Sequence, residues 1–209
     1  MVYLPPAFTE KRDDVLLAFV ERHDFALLVS HGAEGMIASQ IPVLVERREG
    51  RVLLSGHLAR PNPQVADLQA GGQVLVIFQG PHAYISPSWY EGGPAVPTWN
   101  YASVHAYGAA RAITDPAWLR NMLQALSERH ESREPAPPWR LQDQPEPYVD
   151  SMLKGIVGFE IAVERLEGKF KLSQNRPAGD RPRIIAALEA REDTDSRAVA
   201  GLMREREEG

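Results

Sequence analysis

The chain has 209 residues, 44% of them hydrophobic, and a net charge of −5, which fits one soluble globular domain with appended helices. Its longest clean apolar run, residues 74–78, is far too short to span a membrane, and the first residues lack the basic-then-apolar pattern of a secretory leader. No cysteine is present, which excludes disulfides and thiolate metal sites and suits a cytoplasmic protein, while the acidic balance argues against a dedicated DNA-binding domain.

In chain order, residues 9–23 predict a helix capped by Thr9, with Val15, Leu16, Phe19 and Val20 on one apolar stripe. Residues 25–30, 36–46 and 51–57 have strand character and are punctuated by Gly32, Gly35 and Gly50. A short helix is predicted over 62–72, with Asn62 as its cap, Pro63 at its first position and Gly71-Gly72 at its end. An apolar strand follows over 73–79.

Next comes an aromatic stretch, residues 84–107, which carries Tyr84, Trp89, Tyr90, Trp99, Tyr101 and Tyr107 among prolines and a Gly-Gly pair. A strand emerges from it over 103–113. The clearest helix is 115–131, capped by Asp115, opened by Pro116 and striped by Leu119, Met122, Leu123 and Leu126. A proline-rich break at 135–139 precedes a short helix near 146–154, a strand over 155–166, a turn at Gly168, a further strand from 169 to 175 and two closing helices from about 181. Consecutive strands with inserted helices, rather than regular β-α alternation, predict an antiparallel Greek-key-type barrel with peripheral α-helices, in a single domain over 1–209.

No GxSxG, GxxxxGK[ST] or HExxH motif occurs, and the six histidines show no close metal-ligand spacing, so no metal site is predicted. Three constellations remain. In SGHLARPNP, residues 55–63, Ser55, His57 and Arg60 stand at a strand end just before a helix start. Free amides beside an arginine make a phosphate cradle; equally, Asn62 caps, Arg60 is surface and His57 bonds within the turn. In KFKLSQN, residues 169–175, alternation puts Lys169, Lys171 and Ser173 on one face, to meet an anion or to blunt a sheet edge. In the third, Trp99, Asn100 and Tyr101 lead into a strand and offer rings and an amide to a flat heterocycle, whereas Trp89 and Tyr90 read as a lid or a subunit contact.

Four ordered motifs, SGHLARPNPQ (55–64), VIFQGPHAYISPSWY (76–90), PTWNYASVHAYG (97–108) and RLEGKFKLSQNR (165–176), closely resemble the PaiB-like family of FMN-binding negative transcriptional regulators. The start, YLPPAF and then HDFALLVS, fits as well, so the resemblance covers nearly the whole chain. It implies an FMN-binding split β-barrel, the fold also used by pyridoxamine 5′-phosphate oxidases, and a homodimer with FMN at the subunit interface. By motif matching, Ser39, Gln40 and Ile41 would run along the flavin. Ser55, Gly56, His57, Arg60 and Asn62 would lie by the flavin or its phosphate, and Thr98, Trp99, Asn100, Lys171, Ser173 and Gln174 would close the site.

The regulatory role comes from the resemblance alone. No basic recognition helix supports DNA contact, although a dimer would gather Arg47, Arg48 and Arg51 across a two-fold axis. The rival is an FMN-dependent oxidoreductase or flavin reductase, with His57, His82, His105 or Tyr101 as proton donor. Some relatives of this barrel use haem, for which a histidine would be the axial ligand.

Overall fold

The computed structural model describes residues 2–33 and 35–208. Its strands are β1 (Thr9–Glu10), β2 (Phe25–Gly32), β3 (Gly35–Pro42), β4 (Leu44–Arg48), β5 (Arg51–Ala59), β6 (Gln73–Ile85), β7 (Thr98–Ile113) and β8 (Ile156–Lys171). Its helices are α1 (Asp13–Arg22), α2 (Gln64–Gln69), α3 (Pro116–Glu131), α4 (Glu146–Lys154), α5 (Asp180–Glu189) and α6 (Thr194–Glu208). The strands follow one another in the sheet as β3-β2-β6-β7-β8-β5-β4, with β1 pairing β8 off that path. The pairs β2/β3, β2/β6, β4/β5, β5/β8 and β1/β8 are antiparallel.

The long strands alternate as a half-buried sheet demands. Along β7, Asn100, Ala102, Val104, Ala106, Gly108 and Ala110 point inward. They are small because the neighbouring backbone comes close: a Cβ on Gly108 would sit 2.1 Å from the Ala162 carbonyl oxygen.

The chain folds as two compact units, each discontinuous in sequence. One comprises Met1–Phe19, Gln79–His105 and Glu167–Gly209; the other comprises Val20–Phe78 and Ala106–Leu166. In the second unit, α2 is pinned to the sheet by polar bonds. Gln64 Nε2 donates to the carbonyls of Leu28 and Ile37, each at 3.1 Å, and Ser30 Oγ donates to the Asp67 carboxylate. Leu119, Met122 and Leu126 of α3 pack with Val149 and Leu153 of α4 and with Leu44 in one apolar cluster. In the first unit, α5 buries Ile184, Ile185 and Leu188, and α6 buries Val199, Ala200 and Met203.

Several boundaries differ from the sequence expectation: β6 runs to Ile85 rather than ending at 79, β7 starts at Thr98 rather than 103, and four further differences have visible causes. The first helix starts at Asp13, because residues 9–10 pair with β8 and the Glu10 carboxylate takes the amides of Lys11 and Arg12, each at 3.0 Å. Thr9 Oγ1 instead donates to the Pro5 carbonyl. The strand expected over 36–46 breaks at the fully buried Val43, whose amide donates to the Asp24 carbonyl at 2.8 Å. No turn interrupts the chain at Gly168; β8 runs straight through it. A Cβ there would meet Leu16 Cδ2 at 2.2 Å, so this glycine serves close packing. The short second helix begins at Gln64, with Asn62 Oδ1 accepting the Gln64 amide at 2.9 Å from just outside it.

Candidate functional site

The expected site residues fall into two groups, one in each unit. In the Val20–Phe78 segment, Ser39, Gln40 and Ile41 lie on β3, which ends the sheet order. Alternation buries Ile41, exposes Gln40 and leaves Ser39 half-buried, where its hydroxyl accepts from Asn62 Nδ2 at 2.9 Å. Asn62 thus joins β3 to the start of α2 with one end of its amide and caps that start with the other.

Ser55, Gly56 and His57 lie on β5, opposite Glu160, Phe159 and Gly158 of β8. Gly56 has no room for a side chain: a Cβ would lie 2.7 Å from the Phe159 ring and 3.0 Å from the Pro42 carbonyl oxygen. His57 is half-buried, and its Nδ1 is buried without a hydrogen-bond partner. Burial pushes its pKa below the usual imidazole value, so the ring is neutral at pH 7.

The phosphate cradle expected at residues 55–63 takes a different form. Arg60 donates through Nε to the Lys154 carbonyl at 2.6 Å and through Nη2 to the Ile156 carbonyl at 3.0 Å, and its amide donates to the Gly155 carbonyl at 2.8 Å. The guanidinium therefore closes the C-terminal end of α4, where carbonyls lack helical partners. With the Gln64 amide also taken by Asn62, this turn keeps fewer free donors than the sequence suggested.

The second group gathers where β7 begins and β8 ends. Lys171 Nζ donates to Thr98 Oγ1 and, at 2.7 Å, to the Trp99 carbonyl. Burial, and then the charge of Lys169, push the Lys171 pKa down. Asn100 and Ser173 were expected to face the flavin, but both side chains are buried and spent on each other. Asn100 Nδ2 donates to Ser173 Oγ at 2.9 Å, and Ser173 Oγ donates to Asn100 Oδ1 at 3.2 Å. Ser173 has a φ of 64°, in the left-handed region, and Gln174 stabilises that turn by accepting the Leu172 amide at 2.7 Å and donating to the Phe170 carbonyl. These three residues hold Lys171 and Trp99 in place.

Trp99 itself is 52% exposed. The Tyr84 ring meets it edge-on at 6.0 Å, and His82 lies 5.9 Å from it. His82 Nδ1 is 3.3 Å from the Asp195 carboxylate at the start of α6. Tyr84 and Asp195 belong to this cluster but were absent from the sequence-derived set. Period-two spacing from His82 offered a signal for Tyr84; nothing local pointed to Asp195.

The donor set suits a flavin mononucleotide. A dianionic phosphate needs ammonium groups, and a flat ring needs aromatic walls with a few edge donors. Lys171, Thr98 and Trp99 supply such groups in one unit. In the other, the His57 Nδ1 is a desolvated polar atom still lacking the bond that a buried imidazole nitrogen requires.

Fold and residues together define a flavin-binding split-barrel protein. The chain belongs to the family described as "Putative FMN-binding domain", whose model matches residues 2–165, and FMN is its cofactor. It is 36% identical over 206 residues to the Bacillus subtilis protein called "Protease synthase and sporulation protein PAI 2", covering 98% of each chain. An uncharacterised Emericella nidulans protein is 33% identical over 206 residues, covering 82% of each chain. Among solved structures, an FAD and haem binding protein from Mycobacterium smegmatis has a TM-score of 0.55 at 15% identity, over 78% of this chain and 73% of that one. The flavocytochrome Anf3 from Azotobacter vinelandii has a TM-score of 0.53 at 13% identity, over 80% and 72%. These two likenesses establish the fold. No helix among the described residues is long and apolar enough to cross a membrane.

Proposed function

We propose that this protein is a homodimeric, FMN-binding regulator of the PaiB type. The observation that carries the reading is the likeness to the Bacillus subtilis sporulation protein along 98% of both chains, which a shared cofactor domain alone would not require. In this reading Lys171, Thr98 and Trp99 contact the flavin, and Gln40, Ser39 and His57 are a separate candidate set within the other unit. Asn62, Asn100, Ser173 and Gln174 position them. Self-association is supported by β3, a sheet-edge strand without a charged residue, whose Met36 is 74% exposed. The flavin, when bound, supplies redox chemistry that the protein side chains lack.

A second reading, an FMN-dependent oxidoreductase, is favoured by His57. A neutral imidazole with an unpartnered nitrogen is the group type that transfers protons near neutral pH.

Purified protein titrated with FMN and then with promoter fragments separates the readings. The regulator retards a specific fragment, but not its scrambled counterpart, with an affinity that falls as salt rises. The oxidoreductase ignores DNA and bleaches its flavin with NADH or NADPH, recovering colour on addition of an acceptor. Protein that takes up no FMN would overturn both.

A further inference from the structure

Lys169 presents an electrostatic problem that the fold itself does not solve. It is 9% exposed, and its ammonium lies 5.2 Å from the Tyr3 ring centroid and 5.6 Å from that of Tyr101. Ring faces attract a cation, but at these distances they accept none of its three N–H donors. Lys171 stands two residues along the same strand face, and its own donors reach only a hydroxyl and a carbonyl, both uncharged. Among the described residues no ion pair joins either ammonium to a carboxylate. Two like charges, one buried and one half-buried, thus sit side by side without compensation, which folded proteins avoid unless an anion completes the site. The positive field also reaches His105, whose pKa is pushed down by burial first and then by nearby positive charge that includes Lys169.

The surroundings narrow the anion to one kind. Lys171 is bonded to the backbone of Trp99, whose half-exposed ring forms a shelf with Tyr84. His82, braced by Asp195, borders that shelf. Exposed rings beside an unneutralised lysine pair suit a molecule that is both flat and negatively charged.

We propose that Lys169 and Lys171 form an anion seat for a planar aromatic ligand whose ring lies on the Trp99–Tyr84 shelf. Two sources share that chemistry: the phosphate of the protein's own FMN, and a separate small aromatic acid. The first source rests on the FMN reading given above; the second does not. Lys169 is the decisive residue: alternation puts it on a face able to meet an anion, but the family motif match does not assign it to the flavin.

The test titrates FMN, riboflavin and 2-naphthoate into wild-type protein and into the Lys169→Gln, Lys171→Gln and Lys169→Arg variants. Flavin and tryptophan fluorescence report binding, and circular dichroism confirms that each variant is folded. If FMN phosphate fills the seat, each Gln variant loses about tenfold or more in FMN affinity, riboflavin binding is unchanged, and Lys169→Arg keeps most of the wild-type affinity. If a separate acid fills it, FMN binding is unchanged in both Lys169 variants, and 2-naphthoate quenches tryptophan in FMN-loaded wild type but not in FMN-loaded Lys169→Gln. Variants that bind all three probes like wild type overturn the proposal. Wild type that takes up no flavin refutes the cofactor reading instead; the seat is then judged on flavin-free protein, by whether 2-naphthoate and inorganic phosphate raise the melting temperature of wild type and not of the Gln variants.

Discussion

Glu10 shows how much a single residue can do here. It is 5% exposed, yet charged: burial alone would raise its pKa, but hydrogen bonds from Arg12 and the charges of Arg12 and Arg206 hold it at about 2. That carboxylate caps α1 and ties it to Arg206 of α6. A pKa depressed from 4.5 contributes stability that is fully present above about pH 4.5 and lost as pH falls toward 2. The shift corresponds to about 3 kcal/mol at neutral pH. Glu10→Gln should therefore lower the unfolding free energy by roughly that amount at pH 7 in urea titrations, and the gap to wild type should close below pH 3. A gap that stays constant with pH would show that Glu10 acts through shape rather than charge. Sequence reasoning made Thr9 the cap and overlooked Glu10, because the partners that keep Glu10 ionised include an arginine almost two hundred residues away. The same limit applied at Arg60. Its residue type was right for a phosphate, but only the structure shows its donors spent on the end of α4.

The stretch between β6 and β7 is the clearest case at the scale of an element. Its tryptophan and tyrosine suggested a lid or a subunit contact; within the chain both rings meet arginines. Tyr90 is buried beneath the Arg176 guanidinium at 3.7 Å, and Arg191 lies 5.2 Å from the Trp89 ring. Arg176 also pairs with the buried Asp180 at 3.2 Å, whose other carboxylate oxygen accepts the Glu91 amide at 2.9 Å. Arg176→Met would leave that carboxylate buried and unpaired, so a loss of about 3 kcal/mol is expected, with faster amide exchange at Glu91. Adding Asp180→Asn should restore part of it; a double variant as unstable as the single one would place the cost in lost ring stacking instead. Strands and helices were legible here because period-two and period-3.6 patterns are local. The clamp was not, since nothing near Trp89 or Tyr90 announces the arginines that flank α5, Arg176 before it and Arg191 after it. The helix pattern of α3, by contrast, was read correctly from Asp115 to Glu131, because its cap, proline and stripe are contiguous.

For the whole molecule, the proposed dimer makes a direct prediction. Met36→Lys puts a charge on the uncharged edge strand β3, so sedimentation should shift from a particle of twice the chain mass toward the single chain, with secondary structure retained. An unchanged dimer would move the interface elsewhere. Barrel class and FMN were within reach of the sequence because four long motifs carry them, and the same resemblance raised the expectation of a homodimer; which surface would pair was not legible, because a self-complementary surface leaves no motif. The interleaving of the two units has a consequence for how the protein is made. Unit Val20–Phe78 with Ala106–Leu166 has all its residues once position 166 has been synthesised, whereas the other unit also needs the segment after it, Glu167–Gly209. During translation Lys171, Asn100 and the clamp on Tyr90 must therefore wait for the final segment. The N-terminal strand β1 stays without its partner until Gly168 and Lys169 have been made, and a nascent chain stalled before position 167 lacks Lys171, Ser173 and Gln174.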